Sequence, residues 1–579
     1  MKGIRAHFLP ASRKEMEALG WDFVDVVLVT GDAYADHPSF GVALIGRWLE
    51  SNGYRVAVLS QPWHQDHRAF TAFGRPRLFF GVTAGNLDSI VANYSGNSRV
   101  RDSDAYSPGG NPYFGGLMER KLRRRPDRAT IRYAQLARQA YSDCPVIIGG
   151  LEASLRRFVH YDYKQEVLRA SVLTDSKADL LVYGMGERAV LEIAQRLAAN
   201  KELKGIRGTC ERLTDAGLAA RDIGGHVLLP SFDQLRVDPK LLLDAELTVD
   251  SHARSLSQTP VIQRQKALWV LQNPPMPALG QDELDGLYEL PFTRLSHPDF
   301  GDIPACRAIQ SSITILRGCF GNCSFCAIAR HQGAVVVSRG VDSVVREVER
   351  LSQMPWFNGT VSDLGGPTAN LYGISCKKSG SCHRHDCLYP GICRNLAIDE
   401  DCFLELIDRV SGVKGVRHAF ISSGLRMELL LKTPRLLERI IERHVPGVMK
   451  IAPEHTEADV LRLMHKAGPD VLSNFLKTAR RVADGKGLRI LFSPYFISAH
   501  PGCSLPNMET MAGKVRGMGL DVKQFQDFTP TPGTISTAMF VSGLDRDTRN
   551  PIYVARKRVE RKAQRMAIEP LKGPRKSLT

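Results

Sequence analysis

No run of about 18 uncharged apolar residues occurs in the 579-residue sequence, so no membrane-spanning helix is expected. Residues 1–13 lack the apolar centre of a secretory signal, which makes the cytoplasm the expected location. Cysteine is scarce as well. Twelve in a chain of this length cannot be a disulfide scaffold. They are crowded, however: seven fall between Cys319 and Cys393, and in a reducing compartment such crowding favours metal over disulfides. Acidic residues are in deficit, 61 against 77 Lys and Arg, for a formal net charge of +16. That balance suggests a polyanion partner, RNA or a ribosomal component, without naming one. Residues 549–579 supply much of the charge and read as a disordered basic tail.

A chain this long needs more than one core. Residues 25–32 read as a buried strand ending in a glycine turn, 40–53 as an amphipathic helix and 55–59 as a second strand. This β-α-β opening, resumed at 145–153 and 178–187, predicts a Rossmann-like parallel-sheet domain over 1–236. Residues 86–128 read as a long surface excursion with a basic run at 120–125. Residues 237–304 read as a helical, then proline-punctuated connector. From 305 to 548, strands at 334–337, 360–368, 417–422, 448–452 and 488–492 alternate with helices. That alternation predicts an α/β fold of the partial β/α-barrel type, its site at the carboxyl ends of the strands.

The chemistry concentrates directly after the apolar run 312–316, where Cys319, Cys323 and Cys326 stand in CxxxCxxC spacing. Three thiolates on a short glycine-containing loop can hold three irons of a 4Fe-4S cube and leave the fourth without a protein ligand. A structural zinc knuckle is the alternative, but zinc prefers CxxC pairs and four ligands. Further on, Cys376, Cys382, Cys387 and Cys393 could close around zinc or hold an auxiliary iron-sulfur cluster, with His383 and His385 as further ligand choices. Reduction in the cytosol argues against two disulfides there.

The RGCFGNCSFCAI stretch, the four-cysteine insert, TGDAY through PSFG at 30–41, the Ile148-Gly149-Gly150 turn and the KIAPEH and FTPTPGT strings together resemble the YgiQ-type radical S-adenosylmethionine family, over about residues 8 to 548. The resemblance implies an enzyme whose cluster binds S-adenosylmethionine and cleaves it reductively to a 5'-deoxyadenosyl radical. An electron donor such as a flavodoxin or ferredoxin is implied too. By the same resemblance Phe325 lies beside the adenine, and Gly365, Gly366, Pro367 and Thr368 present backbone to the methionyl amino group. Ser422, Arg426, Glu454 and His455 are further candidate contacts at strand ends. The first domain resembles the cobalamin-binding-like domains that precede such cores. Its loop departs from the DxHxxG spacing, so His37 reads as a hydrogen-bonding residue and cobalamin is not expected. Two other readings stay open: a cobalamin-dependent or methylthiolating enzyme, and a non-catalytic iron-sulfur or zinc protein that binds nucleic acid.

Overall fold

Val26–Thr30 (β1) is buried at every position, as a strand must be when helices cover both faces of its sheet. In this computed structural model the described residues are 7–115, 121–221, 223–255, 257–378, 382, 384, 386–522 and 524–569. They divide into two units. The first comprises the chain up to Pro277 with Gly286–Gln310 and Thr531–Gly533; the second comprises Ala278–Asp285, Ser311–Pro530 and the chain from Thr534 onward.

In the first unit β1 is joined by Val56–Ser60 (β2), Phe79–Thr83 (β3), Val146–Ile148 (β4), Leu180–Val182 (β5), Thr209–Leu213 (β6), Val227–Leu229 (β7), Val261–Gln265 (β8) and Leu268–Gln272 (β9). The spatial order is β2-β1-β3-β4-β5-β6-β9-β8-β7. The first five strands are parallel, as the sequence predicts. The sheet then reverses, with β6 antiparallel to both β5 and β9.

Two expectations are corrected here. The stretch read as a connector contributes β8 and β9 to the sheet. Their signal was masked by glutamines: Gln263, Gln265 and Gln272 are buried, and their side-chain oxygens accept from the Val159 amide, the Ser171 amide and the Arg157 guanidinium. The described part of the 86–128 excursion is a surface loop only in part: residues 99–103 are exposed, but others turn inward. Arg125 is 1% exposed and pairs with Asp32 at 2.5 Å and Asp104 at 3.0 Å, so its polar composition serves internal ion pairs. Arg120, in the same basic run, lies outside the described residues.

The second unit carries Ser312–Thr314 (β10), Leu316–Arg317 (β11), Val337–Ser338 (β12), Thr360–Val361 (β13), Asp363–Gly365 (β14), His418–Ala419 (β15), Val448–Glu454 (β16), Leu491–Ser498 (β17) and Gln524–Asp527 (β18). β10 pairs with β14, β13 with β15, and β16 with β17 and β17 with β18, all parallel. Bonds from the Leu364 amide to the Phe420 carbonyl and from the Ile421 amide to the His444 carbonyl link the successive strands. Helices such as Val341–Ser352, Glu400–Ser411, Pro469–Gly485 and Leu505–Gly517 lie between strands in sequence, which gives the expected partial β/α architecture. The strand expected at 334–337 is instead the short β12, paired antiparallel with β11 so that the two close the base of the cysteine loop.

The tail is also corrected. Arg558–Ile568 is a helix, with Ile568 buried and the Gln564 side chain bonded to the Ala499 amide and the Cys503 carbonyl. Residues 570–579 lie outside the described residues. No helix of the described residues is long and apolar enough to cross a membrane.

Candidate active site

The cysteine loop leaves β11 through Gly318, at φ 82°, where a Cβ would collide with the Val335 carbonyl; only glycine fits. Cys319 donates its amide to Gly333, and Ile328–Gln332 follows as a helix, so strand, loop and helix succeed one another. Ser324 is the pin of this loop. It is buried; its amide donates to the Met464 carbonyl at 2.9 Å and its hydroxyl to Leu463 at 2.6 Å, while it accepts from Arg546 at 2.7 Å and from the Ser536 amide at 2.8 Å.

The three thiols face one another and one cation. Burial, then the charges of Cys323 and Cys319, push the Cys326 thiol up to about 12. Arg426 places a guanidinium nitrogen 3.1 Å from Cys323 Sγ, and the Gly321 amide reaches Cys319 Sγ at 3.4 Å. Both donors stabilise thiolate over thiol. Burial opposes the Arg426 charge, yet Cys323, Glu428 and Cys319 hold its proton well above the usual guanidinium range. A Cβ on Gly321 would strike this guanidinium, which explains the glycine inside the motif.

Arg426 is positioned by the glycine stretch. Its amide donates to Asn370 Oδ1 at 3.1 Å, and Asn370 Nδ2 returns a bond to the Arg426 carbonyl at 2.8 Å. Gly365 pairs with Thr314 at the end of β10. Gly366 approaches β11 so closely that a Cβ would lie 3.0 Å from the Leu316 carbonyl. Pro367 and Thr368 continue this turn, the Thr368 hydroxyl donating to the Pro367 carbonyl. Asp363 anchors the neighbouring loop: its carboxylate takes the Ser422 amide at 2.7 Å, the Ser423 amide at 3.2 Å and the Ser423 hydroxyl.

Glu454 ends β16 at φ 67°, where the register with β17 shifts. A non-glycine residue held there costs roughly 1–3 kcal/mol, a strain that gathers at functional sites. Burial raises its carboxyl, and Lys466, 4.0 Å away, and Arg426 oppose the rise.

The structure thus gathers Cys319, Cys323, Cys326, Arg426 and Glu454 about one network, with Gly365–Thr368 against the strand that feeds the loop. Phe325 is half-buried, its ring 6.4 Å from that of His500 in an edge contact. His455 is not brought in. It is 1% exposed, its Nδ1 accepts from the Glu457 amide and its Nε2 meets Cys503 Sγ at 3.5 Å, so both ring nitrogens are used in the core. The Ser422 hydroxyl donates to the Ser362 carbonyl at 2.6 Å. Sequence reasoning missed Glu428, 2.8 Å from Arg426, although its place two residues on was a signal. It also missed Asn370 and Lys466; Lys466 is joined only by the fold.

The donor set suits iron-sulfur chemistry. Among the described residues, the group of three or more His, Cys, Asp or Glu ligand atoms that converge within 4.8 Å is Glu15, His297 and Asp299. The three sulfurs are therefore spread more widely than thiolates on one zinc, about 3.8 Å apart for tetrahedral bonds of 2.3 Å.

A family model described as "Radical SAM N-terminal" matches residues 8–312. A UPF0313 protein of Geobacter sulfurreducens is 45% identical over 568 residues, 97% of this chain and 92% of the relative. One of Thermotoga maritima is 43% identical over 98% of this chain and 100% of its own length. The chain belongs to the UPF0313 family. UPF0313 proteins are the YgiQ-type radical S-adenosylmethionine enzymes, so a 4Fe-4S cluster and S-adenosylmethionine are the cofactors of the class.

The UPF0313 fold is similar to that of the radical S-adenosylmethionine methyltransferase TsrM from Kitasatospora setae, solved with cobalamin and a [4Fe-4S] cluster bound. The TM-score is 0.50 and the identity 15%, over 88% of this chain and 73% of that one. This likeness does not support the expectation set against cobalamin. The strand ends of the first unit bear on the same point. An order of 2-1-3-4-5 puts a ligand between the ends of β1 and β3. Here Asp32 lies between them, raised to about 6 by burial, receiving Arg125 and the Asn86 amide, and so close that Gly85 has no room for a Cβ. His37 is buried, its Nδ1 accepting from the Ser39 amide and its Nε2 3.1 Å from the Arg294 guanidinium.

Proposed function

We infer that Cys319, Cys323 and Cys326 hold the radical-generating 4Fe-4S cluster of this enzyme, with Gly365–Thr368, Phe325, Arg426 and Glu454 around the S-adenosylmethionine, and that hydrogen abstraction from a substrate follows. When bound, the cluster supplies the electron that cleaves the sulfonium to methionine and a 5'-deoxyadenosyl radical. The chain's own residues hold and tune it. Three thiolates leave one iron open, Arg426 offsets their charge, the Gly321 amide donates to Cys319, and Ser324 fixes the loop from three other segments. The observation that carries this reading is the 3.1 Å contact of a buried guanidinium with Cys323 Sγ inside a CxxxCxxC loop.

The test is anaerobic reconstitution with iron and sulfide, dithionite reduction and assay for 5'-deoxyadenosine. Wild type should form it and Cys323→Ala should not; formation at the wild-type rate in the variant sinks the assignment. The likeness to the cobalamin-bound methyltransferase favours a second reading, a corrinoid-dependent enzyme. Asp32 and Arg125 at the strand ends favour the corrinoid-free one. Cobalt analysis of protein purified from cobalamin-supplemented cells separates them: one cobalt per chain selects the second reading.

A further inference from the structure

The insert 373–395 interrupts the barrel between β14 and β15 and carries four thiols, Cys376, Cys382, Cys387 and Cys393, all free. Its fold ties the segments that carry them to one another. Ser375–Cys376 pairs antiparallel with Leu396–Ala397, placing Cys376 opposite Leu396, whose amide donates to the Cys393 carbonyl at 3.0 Å. Cys393 in turn donates its amide to the Cys387 carbonyl at 2.8 Å. Cys382 Sγ accepts the Arg384 amide at 3.4 Å, and the Arg384 guanidinium ties the carbonyls of Asp386, Tyr389 and Gly391. The insert is clamped to the body of its unit: Asp386 meets His465 at 3.1 Å, and Tyr389 stacks on the same ring with centroids 4.3 Å apart. Most telling, the Cys387 amide donates to the carbonyl of Phe320, inside the first cysteine loop, at 3.3 Å. The two thiol groups share a wall. His383 and His385 lie outside the described residues.

Zinc and an iron-sulfur cube ask for different spacings. Four thiolates on one zinc stand about 3.8 Å apart, and no three of these sulfurs lie within 4.8 Å of one another. A cube spreads its thiolates over four irons, and an amide N–H directed at sulfur, as at Cys382, stabilises such ligands. We propose that Cys376, Cys382, Cys387 and Cys393 hold a second 4Fe-4S cluster, fully ligated by thiolate and seated against the loop of the first. With no open iron it has no corner for a sulfonium ligand, so its chemistry is the gain and loss of single electrons. The site stands on the insert alone; only its relation to the first cluster rests on the function proposed above.

The test uses the full-length chain with Cys319, Cys323 and Cys326 all changed to Ala, reconstituted anaerobically with iron and sulfide. The expected result is about four irons and four sulfides per chain, half the wild-type content, with a paramagnetic signal on dithionite reduction. Adding Cys382→Ser to this variant should lower the iron to near zero while its circular dichroism and melting temperature stay those of the parent, which separates ligand loss from misfolding. A triple variant that folds but holds no iron overturns the proposal. One zinc per chain without sulfide overturns it too. Wild type that binds eight irons yet forms no 5'-deoxyadenosine would strike the proposed function and support this site.

Discussion

Replacing Arg426 by Met removes one positive charge from beside the three thiols and keeps an unbranched stem, shorter than that of arginine. At an effective dielectric of about 20, a unit charge 3.1 Å from Cys323 Sγ is worth about 5 kcal/mol. An electron added to a cluster on those thiols is spread further off, at a mean distance on the order of 6 Å, which leaves about 3 kcal/mol, or ~0.1 V for one electron. Removing the charge makes reduction harder, so the midpoint potential of the first cluster should fall by about 0.1 V. Glu428→Gln works in the opposite sense, since that carboxylate sits 2.8 Å from the guanidinium, and should raise the potential. Arg426→Lys keeps the charge and should move it by less than half as much. The assay is a redox titration followed by electron paramagnetic resonance, on variants whose insert cysteines are changed to Ser so that a single centre reports. The reasoning fails if Arg426→Met stays within about 0.03 V of its parent, or if the Arg426→Met and Glu428→Gln shifts share a sign.

Stability in acid should depend on His500, buried and held down to about 3 by desolvation, donating from Nδ1 to the Pro501 carbonyl and accepting the Ser536 hydroxyl at Nε2. Its ordinary value is 6.5, so as pH falls through 6.5 the unfolded chain takes the proton first and stability declines. At pH 5 this amounts to about 2 kcal/mol. Urea midpoints at pH 7.5 and pH 5.0 should therefore diverge less in His500→Gln than in wild type, and an unchanged divergence counts against the account. Truncation before Arg558 should destabilise the second unit, because it uncovers the site of Ile568 and strips the Ala499 amide and Cys503 carbonyl of Gln564. The expected loss is about 3–5 kcal/mol, read as a melting temperature lower by several degrees; a shift under a degree would show that the helix merely rests on the surface.

The parts of the fold written in local pattern were readable. β1, with five apolar or β-branched residues in a row, and the cysteine loop that follows β10 and β11 announce themselves, because strand burial and ligand spacing are properties of adjacent residues. β8 and β9 were hidden because their inward positions are glutamines whose partners, Val159, Ser171 and Arg157, lie about a hundred residues away. The same reason hid the buried character of Arg125. In composition it belongs to a basic run; in the fold it neutralises Asp32 and Asp104. At the site, Arg426 could be named from its place after a strand, but the reach to Cys323 and the support of Asn370 come from chain crossings that no spacing rule encodes. His455 misled because a histidine in a KIAPEH string looks available, whereas the turn after β16 points it at Cys503.

Ser324 draws its hydrogen bonds from Leu463, Met464, Ser536 and Arg546, all synthesised well over a hundred residues after the cysteines on either side of it. A nascent chain that has just exposed those cysteines to the cell cannot yet shape them into a receptacle. Loading of the proposed cluster should therefore wait until the chain has been made as far as Arg546, and a fragment that ends before it should emerge as a poor acceptor of iron, however intact its motif.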